Sequence, residues 1–218
     1  MKISWLKHAA FKITTEDKKI IYLDPYQVSK SEEKADIIIC SHEHGDHFDE
    51  KSIQNIWKES TVLLGPKSIS SKLMKFNGKG LEFYTTLQIG NIKIQLVPAY
   101  NLKRMRPNSN ETFHPKSRKW AGSVLEIEGK KIYHAGDSER IPEMKDLASK
   151  EIDVAMLPCG GTYTMDFEES TDAAIDINPK IVIPMHNWDM ELEEYKKILQ
   201  SKNSKIKVEI LLDKELLI

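Results

Sequence analysis

Ile37-Ile38-Ile39-Cys40-Ser41-His42-Glu43-His44-Gly45-Asp46-His47 is the stretch from which the rest of the chain can be read. Its first four residues are a short apolar run, consistent with a strand buried on both faces. The polar residues that follow read as a loop held at the strand's end, a rigid place to display ligands. Four side chains able to bind a cation fall between His42 and His47, in a chain with only 7 His. Imidazole and carboxylate without thiolate suit zinc, and also iron or manganese. Alternate residues of an extended segment point the same way, so His42 and His44 can converge on one ion while Asp46 and His47 turn to a second. Two such ions, roughly 3.5–4 Å apart, ionise a water that attacks an ester, amide or phosphoester.

Upstream of this stretch, Ile3-Ser4-Trp5, Phe11-Lys12-Ile13 and Ile20-Ile21-Tyr22-Leu23 are β-rich runs broken by polar turns. Downstream, helices begin to alternate with strands. Asp49 caps a helix running to about Lys58, Thr61 to Leu64 is a strand, and Gly65-Pro66 opens a further helix with Pro at its first position. Asn91 to Pro98 alternates as a strand with one wet face, and Ala121–Ile127 with Lys130–His134 form a hairpin around Glu128-Gly129. Asp153–Leu157 and Lys180–Pro184 are core strands. Asp166-Phe167-Glu168-Glu169 starts a helix as a capping box, Asp189 caps the last helix, and Val208–Leu211 finishes as a strand. The order suggests two sheets packed face to face with helices outside.

His42-x-His44-x-Asp46-His47 resembles the signature of the metallo-β-lactamase superfamily. The resemblance extends over nearly the whole chain. Lys7-His8-Ala9-Ala10-Phe11 and Ile21-Tyr22-Leu23-Asp24-Pro25-Tyr26 resemble its opening strands, Tyr133-His134-Ala135-Gly136-Asp137-Ser138 the segment whose Asp bridges two metals, and Ile183-Pro184-Met185-His186 the segment supplying the last His. What this implies is an α/β fold of four layers, an αββα sandwich, as one domain over residues 1–218. It also implies a hydrolase with two divalent metals, zinc first and manganese or iron as alternatives. His42, His44, Asp46, His47, Asp137 and His186 are the implied ligands, with Asp46 and Asp137 at the centre of catalysis and Asp24 supporting the metal loop from behind. Leu157-Pro158-Cys159-Gly160-Gly161-Thr162-Tyr163-Thr164-Met165 is similar to a small prokaryotic subgroup with lactonase or phosphodiesterase character.

One position departs from the pattern. The first metal of this superfamily takes a third His just after the strand that corresponds to Ile92–Pro98, and this chain has Asn101 there. His114, from the long loop Asn101–Trp120, is the expected replacement, with Asn101 or water as the alternative. His134 reads as either an outer partner of the site or a buried core His, and His8 as a turn residue first, with a place near the active site as the alternative. Thr162 is a candidate substrate contact beside Gly160-Gly161. The basic residues of the long loop, Arg104 and Arg106 among them, are either a solvated surface or a recognition element for an anionic substrate.

Composition narrows the classes. The chain has 218 residues, 32 Lys plus Arg against 33 Asp plus Glu, and a net charge of −1, so no global field favours nucleic acid or a membrane surface. Cys40 and Cys159, the only two cysteines, read as buried thiols rather than a disulfide framework, and the expected setting is cytoplasmic. The expected partner is a small ester, lactone or phosphodiester, anionic if the basic loop recognises it, attacked by metal-bound hydroxide. Alternatives are a binding protein on an inherited fold, a nuclease, and an oxygen-reducing diiron protein. The last usually carries a carboxylate where this chain has His44. Oligomeric state is not legible.

Overall fold

The computed structural model describes residues 1–212 and 214–218. The chain lays down one sheet, crosses to a second and returns. Strands β1 (Lys2–Lys7), β2 (Ala10–Thr14) and β3 (Ile20–Leu23) form an antiparallel meander, which β4 (Ile37–Ile39), β5 (Val62–Pro66) and β6 (Lys79–Leu81) extend in parallel. The second sheet opens with antiparallel β7 (Thr86–Ile89), β8 (Ile92–Pro98), β9 (Ala121–Ile127) and β10 (Lys130–His134). It continues in parallel through β11 (Val154–Pro158), β12 (Ile181–Met185) and β13 (Lys207–Val208). Finally β14 (Glu215–Leu217) pairs with the outer edge of β1.

The period-2 pattern explains the layers. Ile21, Leu23, Ile37 and Ile39 turn one way and share a core with Ile94, Leu96, Leu125 and Ile132 of the other sheet. Ile20, Tyr22 and Ile38 turn the other way and pack with Ile53 and Ile56 of α1 (Glu50–Ile56) and Leu73 of α2 (Ser70–Leu73). The far face of the second sheet is covered by α3 (Phe167–Ile177), whose Ala173, Ala174 and Ile177 point inward, and α4 (Leu192–Lys202), which buries Leu192, Tyr195 and Leu199. The result is the four-layer αββα sandwich.

Several local expectations shift. Asp49 caps α1 by accepting from Lys51 N, but the helix stops at Ile56. Pro66 ends β5 instead of opening a helix; it lies in the extended region, and a 3-10 turn follows before α2. Glu191, not Asp189, precedes α4, because Asp189 sits at φ +61° in the turn after β12. The strand expected at Val208–Leu211 is only Lys207–Val208, and β6, β7 and β14 are short edge pieces whose mixed composition carries no clear alternation. Among the described residues no helix is long and apolar enough to cross a membrane.

Pairing directions bring the ends of β1, β3 and β4 together in one sheet and those of β8, β10 and β12 in the other, and contacts between the residues that follow them join the two ends in one rim. Carboxyl ends of strands are where α/β sheets commonly bind ligands. Here those ends deliver His8, Asp24, the His42–His47 loop, Asn101, Asp137 and His186.

Candidate metal centre

Three overlapping sets of side chains meet at this rim, each with ligand atoms close enough to hold one ion; His42, His47 and Asp137 form one, and the other two share no residue. The first is His42, His44 and His114. His42 Nε2 lies 2.9 Å from His44 Nδ1, so the alternation in His42-Glu43-His44 does converge the two rings. Glu43, pointing the other way, accepts from Trp120 Nε1 at 2.7 Å, and the buried Trp120 indole packs against all three imidazoles. Burial lowers His42 well below the ordinary imidazole value and brings His44 to about 4, so both are neutral and able to donate a lone pair.

The second set is His8, Asp46, His47 and His186. His8 Nε2 lies 3.2 Å from Asp46 Oδ2, and its ring lies 3.7 Å, centroid to centroid, from that of His186. Burial alone would raise Asp46; the His8 hydrogen bond and the charge of His47 outweigh it and bring the carboxyl to about 2. Asp137 stands between the sets. Its Oδ1 is 3.2 Å from His47 Nε2, and its Oδ2 is 3.2 Å from His114 Nε2 and 3.3 Å from His186 Nε2.

These residues fit divalent cations. His47 Nε2, His114 Nε2 and Asp137 Oδ1 are fully buried yet lack hydrogen-bond partners, although unsatisfied buried polar atoms are rare. They lie near one another without the angles a hydrogen bond needs, as lone pairs aimed at a shared centre do. Burial opposes charging His47, but Asp137 and Asp24 raise it well above an ordinary imidazole; burial likewise opposes Asp137, which His186 and His47 hold well below the carboxylate range. The carboxylates are thus balanced by protons on imidazole, and a cation can supply that positive charge instead.

The supporting structure explains how each group is held. Asp24, at φ +43°, accepts from Ser41 N and Ser41 Oγ, both at 2.6 Å, and its Oδ2 is 2.7 Å from His47 Nδ1. It anchors the loop at both ends. Gly136 sits at φ +60°, where a Cβ would collide with Ser41 and with Ala121 O, so only glycine lets Asp137 pass over the histidine loop. His134 is a buried core residue: Nε2 bonds Ala9 O at 2.9 Å and Nδ1 accepts from Gly136 N at 3.2 Å.

The structure brings His114 together with His42 and His44 and sets it beside Asn101. Asn101 lies behind it, with Oδ1 3.2 Å from His114 Nδ1 and Nδ2 donating to Tyr163 O at 2.7 Å, and so orients the ring. The loop folds back as a two-stranded arm joined at Met105 and Thr112, which returns His114 beside Asn101. Arg104 fastens that arm to the body: its guanidinium reaches Glu139, Glu169 and Asp166, and its Nε donates to Gly161 O. Arg106 donates to Thr112 O and Phe113 O. Both arginines are therefore engaged in loop packing rather than presented to a substrate. Thr162 is exposed and makes no side-chain hydrogen bond among the described residues. Both cysteines are buried, and burial raises both thiols, so neither is poised as a nucleophile.

Trp120 is a site residue that pattern reading missed, and His8 is one that it placed first as a turn residue and only second near the site. The only available signal for His8 was its place at the end of the first strand, at a turn; the structure puts it at φ +56° in the β1–β2 turn, with its carbonyl accepting from Trp5 Nε1 at 2.8 Å and His186 N at 3.1 Å.

Residues 2–186 match the model of the β-lactamase superfamily domain. A metal-dependent hydrolase of Nanoarchaeum equitans is 34% identical over 85% of this chain and 83% of its own length. One of Alkaliphilus metalliredigens is 33% identical over 85% of each chain. Among solved structures, a protein of Parabacteroides distasonis described as a metal-dependent hydrolase superposes with a TM-score of 0.84 at 37% identity, covering 95% of this chain and 91% of that one. A metallo hydrolase of Ignicoccus hospitalis shares the fold at 22% identity with a TM-score of 0.80, covering 100% and 98%.

Proposed function

This chain belongs to the metallo-β-lactamase superfamily and is a metal-dependent hydrolase, and from that premise we propose that it works with two metal ions, zinc first, on a small ester, lactone or phosphodiester. The observation that carries the reading is the pair of ligand sets joined at Asp137: His42, His44 and His114 on one side, Asp46, His47 and His186 on the other. When bound, such ions supply an activated water near neutral pH and neutralise charge on the departing oxygen. The protein's own part is positional. Asp24 and Ser41 fix the rings of His42 and His47, Asn101 fixes His114, and His8 fixes Asp46. Asp137, kept ionised, links the two positions. Trp120 closes the floor beneath the first position and keeps water from reaching it from below.

Elemental analysis of protein purified without chelator, paired with turnover of bis(p-nitrophenyl) phosphate and of a simple lactone, tests this. About two metals per chain, with turnover lost on chelation and restored by reloading, is the expected result. One metal per chain would replace the dinuclear reading with a mononuclear one. Full loading without turnover of any ester, lactone or diester would remove the proposed substrate class.

A further inference from the structure

A groove of about 600 Å³ that the proposed reaction has not yet used reaches His8, one member of the second ligand set. His8 forms part of its floor, and Trp5, Tyr26, Trp188, Met190 and Leu212 line it. Trp188 is two residues beyond His186, and its indole stands edge-on to both His8 and His186, at 5.0 and 5.3 Å between centroids. It remains 51% exposed.

The backbone is shaped to hold it there. His186, Trp188 and Asp189 lie at φ +53°, +48° and +61°, a region that side chains with a Cβ rarely adopt. Gly160 lies beneath the turn, where any Cβ would collide with His186 O and the Trp188 indole. Strained backbone of this kind persists only where the surroundings over-determine it, and it concentrates at ligand sites. Met190 and Leu212 are exposed as well, and with Trp188 they give an apolar strip in a wall that also carries polar side chains. A ligand that covered it would gain the area now in contact with water.

Charge defines what fits. Asp189 and Glu191 stand at the rim with no ion-pair partner among the described residues, while Lys7 is hydrogen-bonded to Gln27 Oε1. Two carboxylates against the one lysine leave these side chains with an excess of one negative charge, which weighs against an anionic group in the groove. Resting on the hydrolase reading above, we propose that the groove is the subsite for a flat, uncharged aryl or heterocyclic group of the substrate, with its ester or phosphoester directed at the metal positions and Trp188 as the residue that selects it.

The probes are phenylphosphonate and methylphosphonate, titrated by calorimetry into the metal-loaded protein, with metal content measured for each variant. They share the anionic head and differ in the ring. Wild type should bind the phenyl compound about tenfold more tightly, the scale of one good aromatic contact. Trp188→Ala should bring the ratio close to one, and Trp188→Phe should keep most of it. Equal affinities in wild type would overturn the proposal, as would a Trp188→Ala protein that weakens both ligands alike, since the indole would then act only as a support for His186. Absence of ester or diester turnover with the ratio preserved would sink the hydrolase reading while supporting the subsite. Turnover with a ratio of one would do the reverse.

Discussion

The two candidate metal positions are built differently. The first draws on three imidazoles and no private carboxylate and lies against Trp120, with His42 and His114 buried and His44 half-buried. The second carries its own carboxylate, Asp46, whose side chain is 33% exposed. Its members come from the β1–β2 turn, the β4 loop and the end of β12, so it straddles both sheets. A set of imidazoles alone suits a resident ion that polarises, and a set with its own carboxylate suits an ion that meets substrate and leaving group. Any variant that acts on one position only sharpens this contrast, and any that collapses both breaks it.

Asp137 should have the largest effect, because it touches His47, His114 and His186 together. Asp137→Asn keeps the shape and removes the charge. The expected outcome is loss of metal from both positions on elemental analysis, with kcat/KM down by about 10³-fold or more, the several kcal/mol a metal contributes to the transition state. Retention of two metals would mean that the carboxylate does not link the positions. His114→Ala should be more selective. It removes one ligand of the first set, and the expected outcome is one metal retained per chain, the second position intact, and activity down by about 10²-fold. Two tightly held metals in that variant would return the third-ligand role to Asn101 or to water.

Much of this contrast was legible in residues, and the illegible part has physical reasons. His42, His44, Asp46 and His47 are local: a strand end and a period of two bring them together, and no distant partner is needed to see it. Gly136-Asp137 and His186 were legible through the family resemblance, which requires each to follow a strand, as each does. His114 could be inferred only from the vacancy at Asn101, since it lies 13 residues along a loop whose return path is set by Arg104 on Glu139 and Glu169. Those carboxylates come from other segments, so the same arginines read in sequence as a basic, anion-seeking loop. The edge strands β6, β7 and β14 were missed because they carry little apolar periodicity; pairing with a neighbour, not their own composition, makes them strands. Pro66 misled because a proline after glycine fits a helix start as well as a strand end, and the bonding of β5 to β6 decides it.

His8 should have the smallest of these effects, and it tests the asymmetry most finely. Its Nε2 meets Asp46 Oδ2, and its carbonyl is held by Trp5 and His186, so the ring is fixed from both chain directions. Partners that orient metal ligands typically contribute about 10- to 100-fold in metal affinity. The lower end of that range is expected here, because the second position keeps Asp46, His47 and His186 in any His8 variant. His8→Ala should therefore weaken one of the two metals by about tenfold in a chelator competition, leaving the other unchanged. His8→Gln, whose amide can still donate to Asp46, should recover most of the loss. If alanine and glutamine lose the metal equally, His8 acts as a ligand, and the second set has four protein donors before Asp137 is counted. If neither variant moves the affinity, the contact with Asp46 is incidental, and the second position is no better organised than its exposure suggests.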